Sequence, residues 1–145
     1  SVTDGLRPSV LDDLGLLPAL RALVTDAGGR TGIAMEFTGD APGACVSEDA
    51  ELALFRALQE SLSNVVRHAR AEHVTVALTQ SDGGLTLRVE DDGTAPTDPS
   101  TWLADGQAHM GLKGMQERLT SVGGRLWLAR GSAGGVKVEA WVPGR

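Results

Sequence analysis

Apolar residues recur at intervals of three and four through Leu52, Phe55, Leu58, Leu62, Val65, Val66 and Ala69, the spacing of one buried stripe on an α-helix. Ser47 stands just before this run, and Glu48, Asp49 and Glu51 form an acidic first turn that suits the positive end of a helix dipole. The pattern predicts a helix from about Glu48 to Ala71. Elsewhere the period shortens to two. Ile33 to Thr38 alternates as a strand does, followed by a turn cluster from Gly39 to Gly43. His73 to Thr79 and Leu85 to Glu90 alternate on either side of Asp82-Gly83-Gly84, which predicts an antiparallel hairpin. A second clear helix is expected from about Leu112 to Val122, closed by Gly123-Gly124, and the strands Arg125 to Arg130 and Val136 to Val142 flank a turn at Gly131 to Gly135. Near the beginning, Pro8 and Pro18 each suit a first helical turn, so two short helices are expected to meet near Gly15, the later one ending at Gly28-Gly29. Between Asp92 and Met110 the chain is polar, with Trp102 and Leu103 as the main apolar interruption, and a loop of that length in a compact domain usually serves function.

These elements account for one domain, and the composition agrees: 145 residues, 41% apolar and 22% charged. Thirteen basic residues stand against nineteen acidic ones, a net charge of −6, and the basic ones form no stripe, so nucleic acid is not an expected partner. Cys45 is the only cysteine, and no Cys or His spacing suits zinc. No apolar run is long enough to span a bilayer and the first residues do not resemble a signal peptide, so direct membrane contact by this domain is not expected.

Three stretches carry candidate chemistry. Glu60, Asn64 and His68 lie at i, i+4 and i+8 of the central helix and form a polar stripe; an amide oxygen and a carboxylate one turn apart suit a hard cation such as Mg²⁺ whose shell is completed by phosphate and water. Asp91-Asp92-Gly93 closes a strand, where a carboxylate can accept a hydrogen bond from an exocyclic amino group while Gly93 lets a ligand approach the backbone. Gly111-Leu112-Lys113-Gly114 opens a helix, and free amides at a helix N-terminus favour phosphate. Taken singly, each reads more simply as a solvated helix edge, a plain turn or a stray glycine pair.

Their order and spacing together resemble the ATP-binding catalytic domain of sensor histidine kinases, of the GHKL superfamily that includes gyrase, Hsp90 and MutL. Gln59 to Ala69 is similar to that family's N box, Asp91-Asp92-Gly93 to its G1 box, and Gly111 to Arg118 to its G2 box in the form found among nitrate-sensor and DesK-like kinases. Leu6-Arg7-Pro8 and Leu11 to Leu16 resemble the end of that subfamily's dimerisation region. The resemblance implies ATP and Mg²⁺ as cofactors, with Glu60 catalytic, Asn64 holding Mg²⁺, and Arg67 and His68 near the phosphates. It further implies adenine recognition by Asp91 with Gly93 alongside, and nucleotide contacts from Gly111, Leu112, Lys113 and Gly114. The implied fold is a two-layer α/β sandwich, with a mixed, mainly antiparallel sheet packed against helices. Residues 1–27 would be the end of the dimerisation region and linker helices, and residues 28–145 the ATP-binding domain.

The same resemblance calls for a phosphoacceptor histidine followed by an acidic residue, yet His68, His73 and His109 are followed by Ala69, Val74 and Met110. The acceptor is therefore expected on a separate dimerisation domain, with a homodimeric full-length kinase and a response regulator as the other partners. The expected location is cytoplasmic, as a free protein or as the cytoplasmic part of an anchored kinase. Two other readings share these residues: an anti-sigma-type serine kinase of the same fold, which lacks an upstream dimerisation region, and a degenerate interaction module.

Overall fold

The computed structural model describes residues 6–39, 46–104 and 111–145. The turn after Gly39, Cys45 and the end of the long loop with His109 lie outside the described residues. In chain order the elements are α1 (Ser9–Leu14), α2 (Leu16–Thr31), β1 (Ala34–Gly39), α3 (Glu48–Asn64), β2 (His73–Ser81), β3 (Gly84–Asp91), α4 (Leu112–Ser121), β4 (Arg125–Arg130) and β5 (Val136–Pro143). The strands form one sheet in the order β1-β2-β3-β5-β4. β1 runs parallel to β2 and every other neighbour is antiparallel. Helices α2, α3 and α4 pack against the sheet, which makes the expected two-layer α/β sandwich with a mixed, mainly antiparallel sheet.

Alternation fixes the register. Val76 lies opposite Val89, Leu78 opposite Leu87, and Leu85 opposite Val142, all buried. A slip of one residue would turn that whole set to solvent. Leu54 and Leu58 on α3, Leu20 on α2 and Leu119 on α4 are fully buried against them, each worth about 2 kcal/mol of burial. Ser47 caps α3 as its position predicts, its Oγ accepting from the Ala50 amide at 3.1 Å.

Three boundaries differ from expectation. α2 does not stop at Gly28-Gly29 but runs to Thr31, and the left-handed residue that ends it is Gly32, whose amide donates to the Gly28 carbonyl at 3.0 Å. Gly28 lies within the helix and faces β1, where a Cβ would make only ordinary contact with Met35 at 3.7 Å. The helix thus crosses residues 27 and 28 unbroken, with Leu20, Val24 and Ala27 in the same core as α3. The central helix ends as α at Asn64 and continues as a π turn over Val65–Ala69, after which Arg70 is left-handed. Gly84 belongs to β3 and not to the turn, because Asp82 (φ 49°) and Gly83 (φ 74°) alone supply the positive angles of a tight hairpin.

The lead-in is tied to α3. Arg7 donates to the Glu48 carbonyl at 2.9 Å and to Glu51 Oε1 at 2.7 Å, and it pairs with Asp12 at 2.5 Å. Arg56 Nη2 donates to the Leu6 carbonyl at 3.1 Å.

Candidate functional site

A cavity of about 470 Å³ opens between α3 with its π turn, the ends of β3 and β5, and the loop after β3. Its walls are mostly apolar: Val65 and Ala69 from the helix side, Val89, Leu128 and Val138 from the sheet, Leu112 from α4 and Trp102 from the loop. Trp102 is buried there, its indole N–H donating to Thr97 Oγ1 at 2.7 Å.

At the sheet end lies Asp91, a carboxylate only 4% exposed. It accepts from the Gly93 amide at 2.8 Å and from the backbone of Val136. Burial nevertheless dominates and pushes its carboxyl above the usual aspartate range. The chain packs tightly behind this group, leaving its cavity side open. A Cβ on Gly135 would overlap Asp91 Oδ1, and a Cβ on Gly93 would overlap the Ala69 carbonyl. That same carbonyl, left free by the end of the π turn, accepts from the Thr94 amide at 2.7 Å.

Asp92, one residue on, behaves oppositely. Its Oδ1 accepts from the amides of Glu72 and His73 at 2.8 and 2.9 Å, and its Oδ2 meets His73 Nδ1 at 2.8 Å. Those backbone donors hold its carboxyl down at about 2. Asp92 is a clip between the start of β2 and the end of β3, whereas Asp91 looks into the cavity. Glu90 in turn accepts from the amide and the hydroxyl of Ser132 at 2.7 and 2.8 Å and fixes the turn before β5.

The helix side of the site is more exposed, and its arginines lie in a second cleft. The polar stripe of Glu60, Asn64 and His68 splits: Asn64 and His68 line the cavity, while Glu60 lines an adjoining cleft of about 280 Å³ with Arg56, Gln59, Ser63, Arg67 and Arg118. The reason is helical geometry, since each step of four residues advances about 40° past a full turn and the stripe drifts round the helix. Glu60 and Arg67 form a loose pair at 3.8 Å. Gly111, with φ 73°, sits directly on the Glu60 carboxylate, and a Cβ there would lie 2.6 Å from Glu60 Cδ, so the start of α4 meets the middle of α3. Leu112 is buried, Lys113 is exposed, and Gly114 has open space around it. Trp127 and Trp141 stand away from the cavity; the former is exposed on the sheet and the latter donates to the Ser81 carbonyl at 2.9 Å.

Among the described residues, no three His, Cys, Asp or Glu side chains gather as a metal cluster. On the helix side of the cavity Asn64 brings an amide oxygen, a donor that suits a hard cation sharing phosphate and water ligands better than it suits zinc. Ser61, Gly135 and Arg118 carry no site role in the sequence reading. The first is one helical turn from Val65 on the cavity face, the second touches Asp91 from a turn read only as a turn, and the third reaches the cleft from α4.

Residues 49–145 match the family model described as histidine kinase-, DNA gyrase B-, and HSP90-like ATPase. The chain is 38% identical to the sensor histidine kinase MctS of Rhizobium johnstonii over 138 residues, 95% of this chain. It is 36% identical to the histidine-protein kinase/phosphatase UhpB of Salmonella typhimurium over 141 residues, 97% of this chain. It spans 30% and 27% of those relatives' lengths. Among solved structures, the ATP binding domain of PrrB from Mycobacterium tuberculosis superimposes with a TM-score of 0.71 at 18% identity, covering 88% of this chain and 93% of that one. The catalytic domain of histidine kinase ThkA does so with 0.74 at 15% identity, covering 89% and 93%. At those identities the likeness speaks for the fold.

Proposed function

Because the chain belongs to the histidine kinase-, DNA gyrase B- and HSP90-like ATPase family, we propose that it is the ATP-binding catalytic domain of a two-component sensor histidine kinase. In this reading it binds Mg-ATP and presents the γ-phosphate to a histidine on the dimerisation domain of the same kinase. The observation that carries it is Asp91, a nearly solvent-free carboxylate aimed into an apolar cavity, with a second, arginine-lined cleft on the same helix α3. Such a cavity suits a flat, amino-bearing heterocycle, and the arginine-lined cleft suits an anionic chain.

Asp91 accepts a hydrogen bond from the exocyclic amino group of adenine, while Gly93 holds the carboxylate through its amide and leaves room for the Ala69 carbonyl that closes the π turn. Arg67, His68 and Lys113, with the first amides of α4 at Gly111, Leu112 and Gly114, balance phosphate charge. Asn64 offers its amide oxygen to Mg²⁺, which supplies charge neutralisation on the phosphates when bound. Glu60, beside the α4 start, orients the incoming imidazole or receives its proton. Catalysis here is positioning and charge balance, so the nucleophile can come from a separate domain. Residues 1–27 lead in from that dimerisation region and residues 28–145 hold the sheet and the nucleotide site, with α2 continuous across the join. In the whole kinase the partners are a second copy, the phosphoacceptor domain and a response regulator. The module would act in the cytoplasm, alone or beneath an anchor.

Calorimetry with ATP, ADP and GTP, with and without Mg²⁺, tests the reading. ATP is expected to bind more tightly than GTP, and its binding to strengthen with Mg²⁺ in the parent but not in Asn64→Ala. Failure of the parent to bind any adenine nucleotide would refute it.

A further inference from the structure

Among the described residues, the wall of the cavity holds one buried polar side chain besides Asp91, that of Ser61 on α3. Ser61 is 3% exposed, and its Oγ has no hydrogen-bond partner among the described residues. A serine inside a helix ordinarily turns its hydroxyl back to the carbonyl one turn earlier, and this one does not. Packing does not call for it either. One turn before stands Ala57 and one turn after stands Val65, both buried, so an apolar residue fits this strip of helix. An unpaired hydroxyl in an apolar wall is unfavourable unless something that enters the cavity completes it.

Resting on the nucleotide reading above, we infer that Ser61 is a purine-recognising residue, whose hydroxyl donates a hydrogen bond to a ring nitrogen of the base held by Asp91. The two groups reach the cavity from different layers, Asp91 from β3 and Ser61 from α3. Their chemistry is complementary. The carboxylate only accepts and so takes the amino group, whereas the hydroxyl can donate and so suits a ring nitrogen, which only accepts. Together they read two edges of a base where Asp91 alone would read one, and a site that hydrogen-bonds its ligand rejects analogues lacking the matching atom.

The test is a double-mutant cycle on the full 145-residue chain. Dissociation constants are measured by calorimetry for ATP and its 1-deaza, 3-deaza and 7-deaza analogues, on the parent and on Ser61→Ala. Ser61→Ala is expected to weaken ATP about 5- to 10-fold. One deaza analogue should lose a similar factor on the parent and nothing further on the variant, while the other two behave alike on both proteins. The variant should melt at or above the parent's temperature, because it removes a hydroxyl that the fold does not pair. ATP bound equally by both proteins, deaza losses that persist undiminished in the variant, or a lowered melting temperature would each overturn the inference. If the parent binds no adenine nucleotide, the nucleotide reading fails with it; if the parent binds and the cycle shows no coupling, Ser61 alone is wrong.

Discussion

The cavity around Asp91 and the charged surface where α3 meets α4 are built by opposite rules. At the sheet end, Asp91 is buried, bonded to backbone, and enclosed by glycines that leave no room for a side chain. Where α3 meets α4, Glu60, Arg67 and Lys113 are partly or fully exposed, and the ion pair that joins the first two is 3.8 Å long. The difference follows from what each has to hold. Discriminating one heterocycle from another needs donors and acceptors already in place and stripped of water. Holding a charged chain that changes length during a reaction suits long, hydrated side chains, which adjust at little cost.

The contrast breaks most severely at Gly135. Gly135→Ala places a methyl where Asp91 Oδ1 and its carbonyl already are, so nucleotide affinity should fall at least 100-fold and the melting temperature by several degrees. Calorimetry and thermal melts check both. Asp91→Asn should separate the two quantities: affinity for ATP drops about 30- to 100-fold, with or without Mg²⁺, while melting moves little, because burial already disfavours the charge in the fold. On the charged surface, Glu60→Gln should leave ATP affinity within about threefold. It should slow phosphoryl transfer to a supplied acceptor domain about 100-fold or more, measured with labelled ATP.

The smallest effect is one of pH. Asp91's carboxyl is raised by burial, so as pH falls it takes up a proton before an ordinary aspartate does, and nucleotide affinity should decline in mild acid. Protonation of that buried group favours the folded state, so it does not unfold the protein. Asp92, held at about 2 by backbone donors, contributes stability that is full above its ordinary value of 3.8 and is lost only as pH falls towards 2. Binding should therefore fade at a pH where circular dichroism still reports an intact fold. Simultaneous loss of both would contradict the separation of roles between these neighbouring carboxylates.

Much of the fold was legible because its signals are local. Period-two alternation placed the hairpin and the last strands, the stripe from Leu52 placed α3, and Ser47 capped it where expected. What eluded the sequence depends on approach between distant segments. Gly28-Gly29 looks like a helix stop, yet no positive φ is needed there and the helix leans on β1 until Gly32. The stripe of Glu60, Asn64 and His68 is real in sequence, but helical drift sends its first member to a different cleft from the other two. Gly135 is an unremarkable turn residue until β5 brings it onto Asp91, more than forty positions earlier in the chain. Ser61 sits one residue off the stripe and carries no pattern of its own.

The continuity of α2 across residues 27 and 28 bears on how this module can be handled as a part. A graft or chimera joined at residue 28 would sever a helix in mid-turn, strip Leu20 and Val24 from beneath α3, and leave bare leucine-rich surface to clump. A junction upstream of Arg7 keeps that helix, its buried underside and the guanidinium strap onto Glu51 in a single transplantable piece.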